Sequence, residues 1–152
     1  MVQNPPGGMN RVTPYVFYDD VSAALVWLEQ AFGFAPRMTF PAPNGGIVHA
    51  EMAIGDGVIM LGQSGITPTW KSPRSLGGAN TQGLFVYVDD VDAHCATARA
   101  AGAEVVKPPE DQFWGDRMYS VLDLEGHAWI FAQHFRDVTA TELPEAIAPA
   151  EP

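Results

Sequence analysis

Apolar and polar positions alternate from Val12 to Tyr18, which predicts a strand with two unlike faces. The period then changes. Val21, Leu25, Leu28 and Phe32 fall on one stripe, predicting a helix over Val21–Phe32 that Gly33 ends. Phe34 to Phe40 reads as a second strand, and Pro41 to Gly46 as a turn. Ile47–Ile54 and Val58–Gly62 read as a hairpin around Gly55-Asp56. With those two residues in the turn, Ala53 faces Val58, Glu51 faces Met60 and His49 faces Gly62. Residues 64 to 81 are rich in Gly, Ser, Pro and Thr and read as a linker. Gly83–Val88 is then a strand and Val91–Ala101 a helix, with Val91, Cys95 and Ala98 inward and Gly102 as its stop. Ala103–Lys107 is a strand that Pro108-Pro109 breaks. Met118–Leu122 and His127–His134 form a hairpin around Leu124-Glu125-Gly126.

The second half therefore repeats the first. Val16–Ala23 reads VFYDDVSA and Val86–Ala93 reads VYVDDVDA, an offset of about 70 residues. Asp20 and Asp90 fall where a side chain accepts from the free N–H groups of a first helical turn. Ile54-Gly-Asp-Gly57 and Asp123-Leu-Glu-Gly126 keep the same register. Each half reads as a β-α-β-β-β module: module one over 11–63, a linker over 64–81, module two over 82–135. Residues 136–152 read as an acidic, Pro/Ala-rich tail.

Composition narrows the function. A chain of 152 residues, 47% hydrophobic, suits one domain with a core. No apolar run approaches the roughly 20 residues that span a bilayer. The first residues lack a secretory pattern, and the lone Cys95 gives no disulfide, so a cytoplasmic location is expected. The net charge of −10 argues against nucleic acid or an anionic membrane as partner and favours a cationic small molecule. Solubility alone is the plainer account of that charge.

Several stretches carry a resemblance: Val12-Thr-Pro-Tyr15 with Asp20, Ala31-Phe-Gly-Phe34, His49-Ala-Glu51 with Ile54-Gly-Asp-Gly57, Phe113-Trp-Gly-Asp-Arg117, and Gly126-His-Ala-Trp129. Over residues 11–135 the chain resembles the vicinal oxygen chelate superfamily, the glyoxalase/bleomycin-resistance/dioxygenase fold, in its PhnB-like or bleomycin-resistance-like branch. The resemblance implies an α+β fold, two tandem β-α-β-β-β modules whose curved sheets form a shared cup, and a homodimer. Whether a cup is built within one chain or across two stays open.

In metal enzymes of that superfamily the ligands come from the first and last strands of each module. Counting from Asp20 and Asp90 puts the first-strand positions at Thr13 and Gly83, and the last-strand positions near Met60 and Ile130. None is His or Glu, so no metal and no cofactor are expected. Neither metal-dependent glyoxalase nor dioxygenase activity is expected. His49 and Glu51 share one strand face beside Met60. They read as a polar rim, as ligand contacts, or as acid/base or metal-ligating residues if the chain is an enzyme.

Tyr15, Phe17, Phe85 and Tyr87 point into the cup by the same alternation, while Val16, Leu84, Val86 and Val88 face the helices. Aromatics on such a face either stack on a planar ligand or fill the space between the sheets. Trp114 and Arg117 are expected on a loop, there to hold a ligand or, through an Asp116–Arg117 pair, to order the loop itself. His94 is expected on the solvent side of its helix, and Trp129 against a helix. No nucleophile elbow, CxxC, phosphate loop or dinucleotide fingerprint is present. Beside a structural or subunit role with no ligand, two functional readings follow. One is metal-independent binding or sequestration of a small cationic or aromatic molecule, of the antibiotic-resistance kind. The other is a glyoxalase-like lyase, isomerase or related enzyme using His49 and Glu51.

Overall fold

The computed structural model describes residues 1–139 and 141–142, so most of the expected tail lies outside the described residues. Each half folds as β-α-β-β-β. Module one comprises β1 (Tyr15–Tyr18), α1 (Val21–Phe32), β2 (Ala35–Pro41), β3 (Ile47–Ile54) and β4 (Gly57–Gln63). Module two comprises β5 (Gly83–Tyr87), α2 (Val91–Ala100), β6 (Glu104–Asp111), β7 (Asp116–Leu122) and β8 (Ala128–His134). The two open, curved sheets have matching orders, β1-β4-β3-β2 and β5-β8-β7-β6, with the first strand parallel to the last in each.

The repeated aspartates act as expected. Asp20 accepts from the Ala23 N–H and Asp90 from the Ala93 N–H, both at 2.9 Å. Gly33 ends α1 at φ 74°, a left-handed conformation natural to glycine. The hairpin register also matches: Ala53 pairs with Val58, Glu51 with Met60 and His49 with Gly62.

Four expectations need correction. β1 begins at Tyr15, not Val12, because Pro14 offers no N–H to a ladder; only its carbonyl is used, by Met60 N–H. β6 runs through Pro108-Pro109 to Asp111. It is an edge strand, and its register slips between Lys107 and Glu110, so the missing N–H groups break no required bond. β7 starts at Asp116, which places Asp116 and Arg117 in a strand and not on a loop. His94 is not on the solvent side. It sits between Tyr119, Phe32 and the Phe131 ring, 4.2 Å away.

The modules share one core. Phe32 at the end of α1 lies 4.7 Å from Phe131 and 5.5 Å from Trp129 of module two. Trp129, Phe131, Leu28, Met52 and Cys95 are all buried. Burial of a Leu, Phe or Met side chain contributes roughly 1.5–3 kcal/mol. Both helices lie on this core side and pack on each other, which leaves the opposite face of each sheet uncovered by a helix.

Candidate functional site

Side-chain alternation sets the two open faces. In module one, Val16, Tyr18, Ala50, Met52 and Leu61 are buried toward the helices. Tyr15, Phe17, His49, Glu51 and Met60 therefore occupy the other face, as expected. Strand register arranges them in two rows. Tyr15, Met60, Glu51 and Met38 form one; Phe17, Gly62, His49 and Phe40 form the next.

The Tyr15 hydroxyl and His49 Nδ1 are 3.0 Å apart, a hydrogen bond whose direction follows the imidazole tautomer. Burial raises the Tyr15 pKa above its ordinary value. Phe40 flanks the other side of His49 at 5.6 Å. Glu51 is 8% exposed and lies 3.5 Å from Arg37, whose guanidinium also donates to the Met9 sulfur. Trp70 covers Phe17, with ring centroids 4.5 Å apart and planes at 17°, and meets Tyr15 at 5.4 Å.

Trp70, Phe40, Met38 and Arg37 were not among the expected site residues. Trp70 is the one aromatic residue in the polar linker, and that isolation was the available signal. Phe40 and Met38 share the alternation that exposed His49 and Glu51.

In module two the same face carries Phe85 and Tyr87, 47% and 60% exposed, with Ile130 and Met118. Asp116 organises its end. Its carboxylate accepts from Tyr87 at 3.0 Å, from the Trp114 indole at 3.0 Å and from His134 Nδ1 at 2.7 Å. Trp114 thus belongs to this face. Arg117 does not. It points to the helix side and pairs with Asp92 of α2 and Asp111 of β6, both at 2.9 Å, not with Asp116.

A cavity of about 680 Å³ opens between the sheet edges, lined among others by Tyr15, Phe85, Tyr87, Thr13 and Gly83. It does not reach His49, Glu51 or Phe17, so the expected ligand residues other than Arg117 divide between this gap and the two open faces.

The four positions expected from the resemblance to match metal ligands do not suit a metal. The Thr13 hydroxyl donates to the Asn10 carbonyl at 3.1 Å, Gly83 has no side chain, and Met60 and Ile130 offer a thioether and a hydrocarbon. Among the described residues no group of three or more His, Cys, Asp or Glu is arranged to hold a metal ion. No helix among them is long and apolar enough to cross a membrane.

Comparison with known proteins agrees with the architecture. An uncharacterised protein of Mycobacterium bovis is 34% identical over 145 residues, spanning 90% of this chain and 91% of that protein. The crystal structure of TioX from Micromonospora sp. ML1 is 37% identical with a TM-score of 0.68, covering 83% of this chain and 99% of that one. The fosfomycin resistance protein FosX of Listeria monocytogenes shares the fold at 15% identity and a TM-score of 0.61, over 88% of this chain and 96% of that one. The model of the Glyoxalase/Bleomycin resistance protein/Dioxygenase superfamily matches residues 8–131, and the chain belongs to that superfamily.

Proposed function

We propose that the protein binds and sequesters a small planar, cationic molecule without a metal. One observation carries this reading. An aromatic surface of Tyr15, Phe17, Trp70 and Phe40 surrounds the polar pair His49 and Glu51 on a sheet face that no helix covers. Aromatic faces attract planar and cationic groups. The overall charge of −10 works in the same direction.

The working form is a homodimer. Phe85, Tyr87 and Phe113 of module two and Phe40 of module one are 47–60% exposed in one chain, and a second copy would cover them. Light scattering of the pure protein measures this directly; a monomer at micromolar concentration contradicts it.

A thermal-shift screen tests the binding function. Planar cationic dyes such as proflavine, and cationic glycopeptides, should raise the melting temperature, with a shift that grows as the logarithm of concentration once it exceeds Kd. A ligand at 100 times its Kd adds about 2.7 kcal/mol of stability. Phe17→Ala should abolish the shift, while His49→Ala and Glu51→Ala should only weaken it. A screen with no shift, or turnover of a substrate lost in both His49→Ala and Glu51→Ala, would favour the enzymatic reading instead.

A further inference from the structure

We infer that Trp70 is a fixed stacking platform of the module-one face and that Glu125, from module two, sets its position. This rests on the ligand-binding reading above. The segment bearing Trp70 reads as a linker by composition, yet it is tied at both ends. On the entry side, Ser64 N–H donates to the Tyr18 carbonyl at 2.9 Å and its hydroxyl to the Asp19 carboxylate. Within the loop, Gly65 N–H donates to the Trp70 carbonyl at 2.8 Å and Trp70 N–H to the Thr67 carbonyl at 3.2 Å. On the exit side, Ser72 is fully buried and its hydroxyl donates to Glu125 Oε2 at 2.5 Å.

The Glu125 carboxylate does more than hold Ser72. It accepts from Asp19 N–H at 2.7 Å and Asp20 N–H at 3.0 Å, at the end of β1. The Arg74 guanidinium lies 3.9 Å away. A single buried carboxylate thus fixes two pieces of chain. One leads directly from Phe17; the other follows directly from Trp70. Their rings are the pair that stack at 4.5 Å.

Two consequences follow. An indole anchored on both sides is a wall, not a lid. Trp70 is also only partly buried, so part of its ring is left for a planar ligand. The arrangement is one-sided. The matching turn position in module one is Asp56, which is shorter and exposed. Trp70 is therefore a specificity-determining residue for aromatic ligands, and Glu125 a positioning residue acting through Ser72.

The test uses the full chain, proflavine as probe, and the variants Trp70→Ala, Trp70→Phe, Ser72→Ala and Glu125→Gln. Kd comes from fluorescence titration. The near-ultraviolet circular dichroism of ligand-free protein, minus that of Trp70→Phe, isolates the Trp70 signal. Trp70→Ala should raise Kd at least about tenfold, as loss of one aromatic stack does, and Trp70→Phe by less than about threefold. Ser72→Ala should weaken the Trp70 signal and raise Kd about threefold or more while urea unfolding stays cooperative. Glu125→Gln should do the same or more; if it does not fold, Ser72→Ala carries this arm. Wild-type binding with an unchanged Kd in Trp70→Ala overturns the platform and leaves the binding function standing. An unchanged Trp70 signal and Kd in Ser72→Ala overturns the positioning role alone. No binding of proflavine by wild type overturns the platform together with the reading it rests on.

Discussion

The phenol of Tyr15 reaches His49 by lying across Gly62. A methyl group at Gly62 would stand 2.8 Å from Tyr15 Cε2 and 3.0 Å from its Cζ and hydroxyl oxygen. Gly62 pairs with both Phe17 and His49, so the gap it leaves is where the Tyr15–His49 bond crosses the sheet. This glycine supplies space. It is absent from the glycines with positive φ, so conformation is not its role here.

Gly62→Ala should therefore push the Tyr15 ring aside, with a loss of about 1–3 kcal/mol typical of overpacking. Tyr15→Ala in the same chain removes the clash. The double variant should then lose less stability than the two single variants added together, measured by urea denaturation. Simple additivity would mean that the ring does not rest on Gly62.

Asp123 joins the modules. Its Oδ2 accepts from the Tyr18 hydroxyl at 2.7 Å and the Trp129 indole at 3.0 Å, and its Oδ1 from the backbone N–H of Glu125 and His127. Asp123→Ala leaves four donors without an acceptor. Each such buried donor costs about 1–3 kcal/mol, so the loss should exceed that of a single hydrogen bond. A melting temperature unchanged in Asp123→Ala would show that water replaces the carboxylate at no cost.

The repeat made the fold legible, because local chemistry enforces it. The helix caps at Asp20 and Asp90, the stop at Gly33 and the hairpin register are decided by neighbours in sequence. The face carrying Tyr15, Phe17, His49 and Glu51 followed from alternation for the same reason. The errors arose where distant chain decides. His94 is polar on a helix, but Phe32 and Tyr119 from other elements offer it partners. Arg117 sits next to Asp116 in sequence, yet successive strand residues face opposite ways, so they cannot pair. Trp70 lies in a segment without periodicity, and only the folded chain brings it over Phe17.

His94 makes stability depend on pH. The Phe32 carbonyl can only accept, so Nε2 carries the proton and Nδ1 accepts from the Tyr119 hydroxyl, at 3.0 and 2.7 Å. Burial lowers the His94 pKa below 6.5, and the Phe32 carbonyl offsets this only in part. The unfolded chain then binds the proton first as pH falls. This contribution is complete above pH 6.5 and is lost as pH drops from there through the folded-state pKa. The urea midpoint should fall below pH 6.5, and His94→Gln should show a shallower fall. Parallel slopes in the two proteins would contradict this.

Arg117 gives a prediction of no effect. Its guanidinium is committed to Asp92 and Asp111 on the helix side, and both carboxylates are largely exposed. Arg117→Ala should leave proflavine affinity unchanged. A rise in Kd of more than about threefold would place the side chain at the ligand after all, since that ratio exceeds what a distant surface change produces.

Asp116 holds the end of the module-two face. Burial pushes its carboxyl pKa up, but the bonds from His134, Tyr87 and Trp114 outweigh this and keep it below the ordinary value. In return Asp116, aided by Asp137, raises the His134 pKa above 6.5. The protonated imidazole is thus favoured in the folded chain. Its contribution is complete below pH 6.5 and is lost as pH rises through the folded-state pKa, the opposite sense to His94. Asp116→Asn removes the charge but keeps a similar shape. In that variant the His134 pKa, followed by NMR titration, should move down toward 6.5, with only Asp137 left beside it. Tyr87 loses its carboxylate acceptor at the same time, so its own pKa, raised first by that bond, should fall too. Both shifts come from one substitution because a single carboxylate serves the two groups. A His134 value that does not move would mean that Asp137 alone sets it.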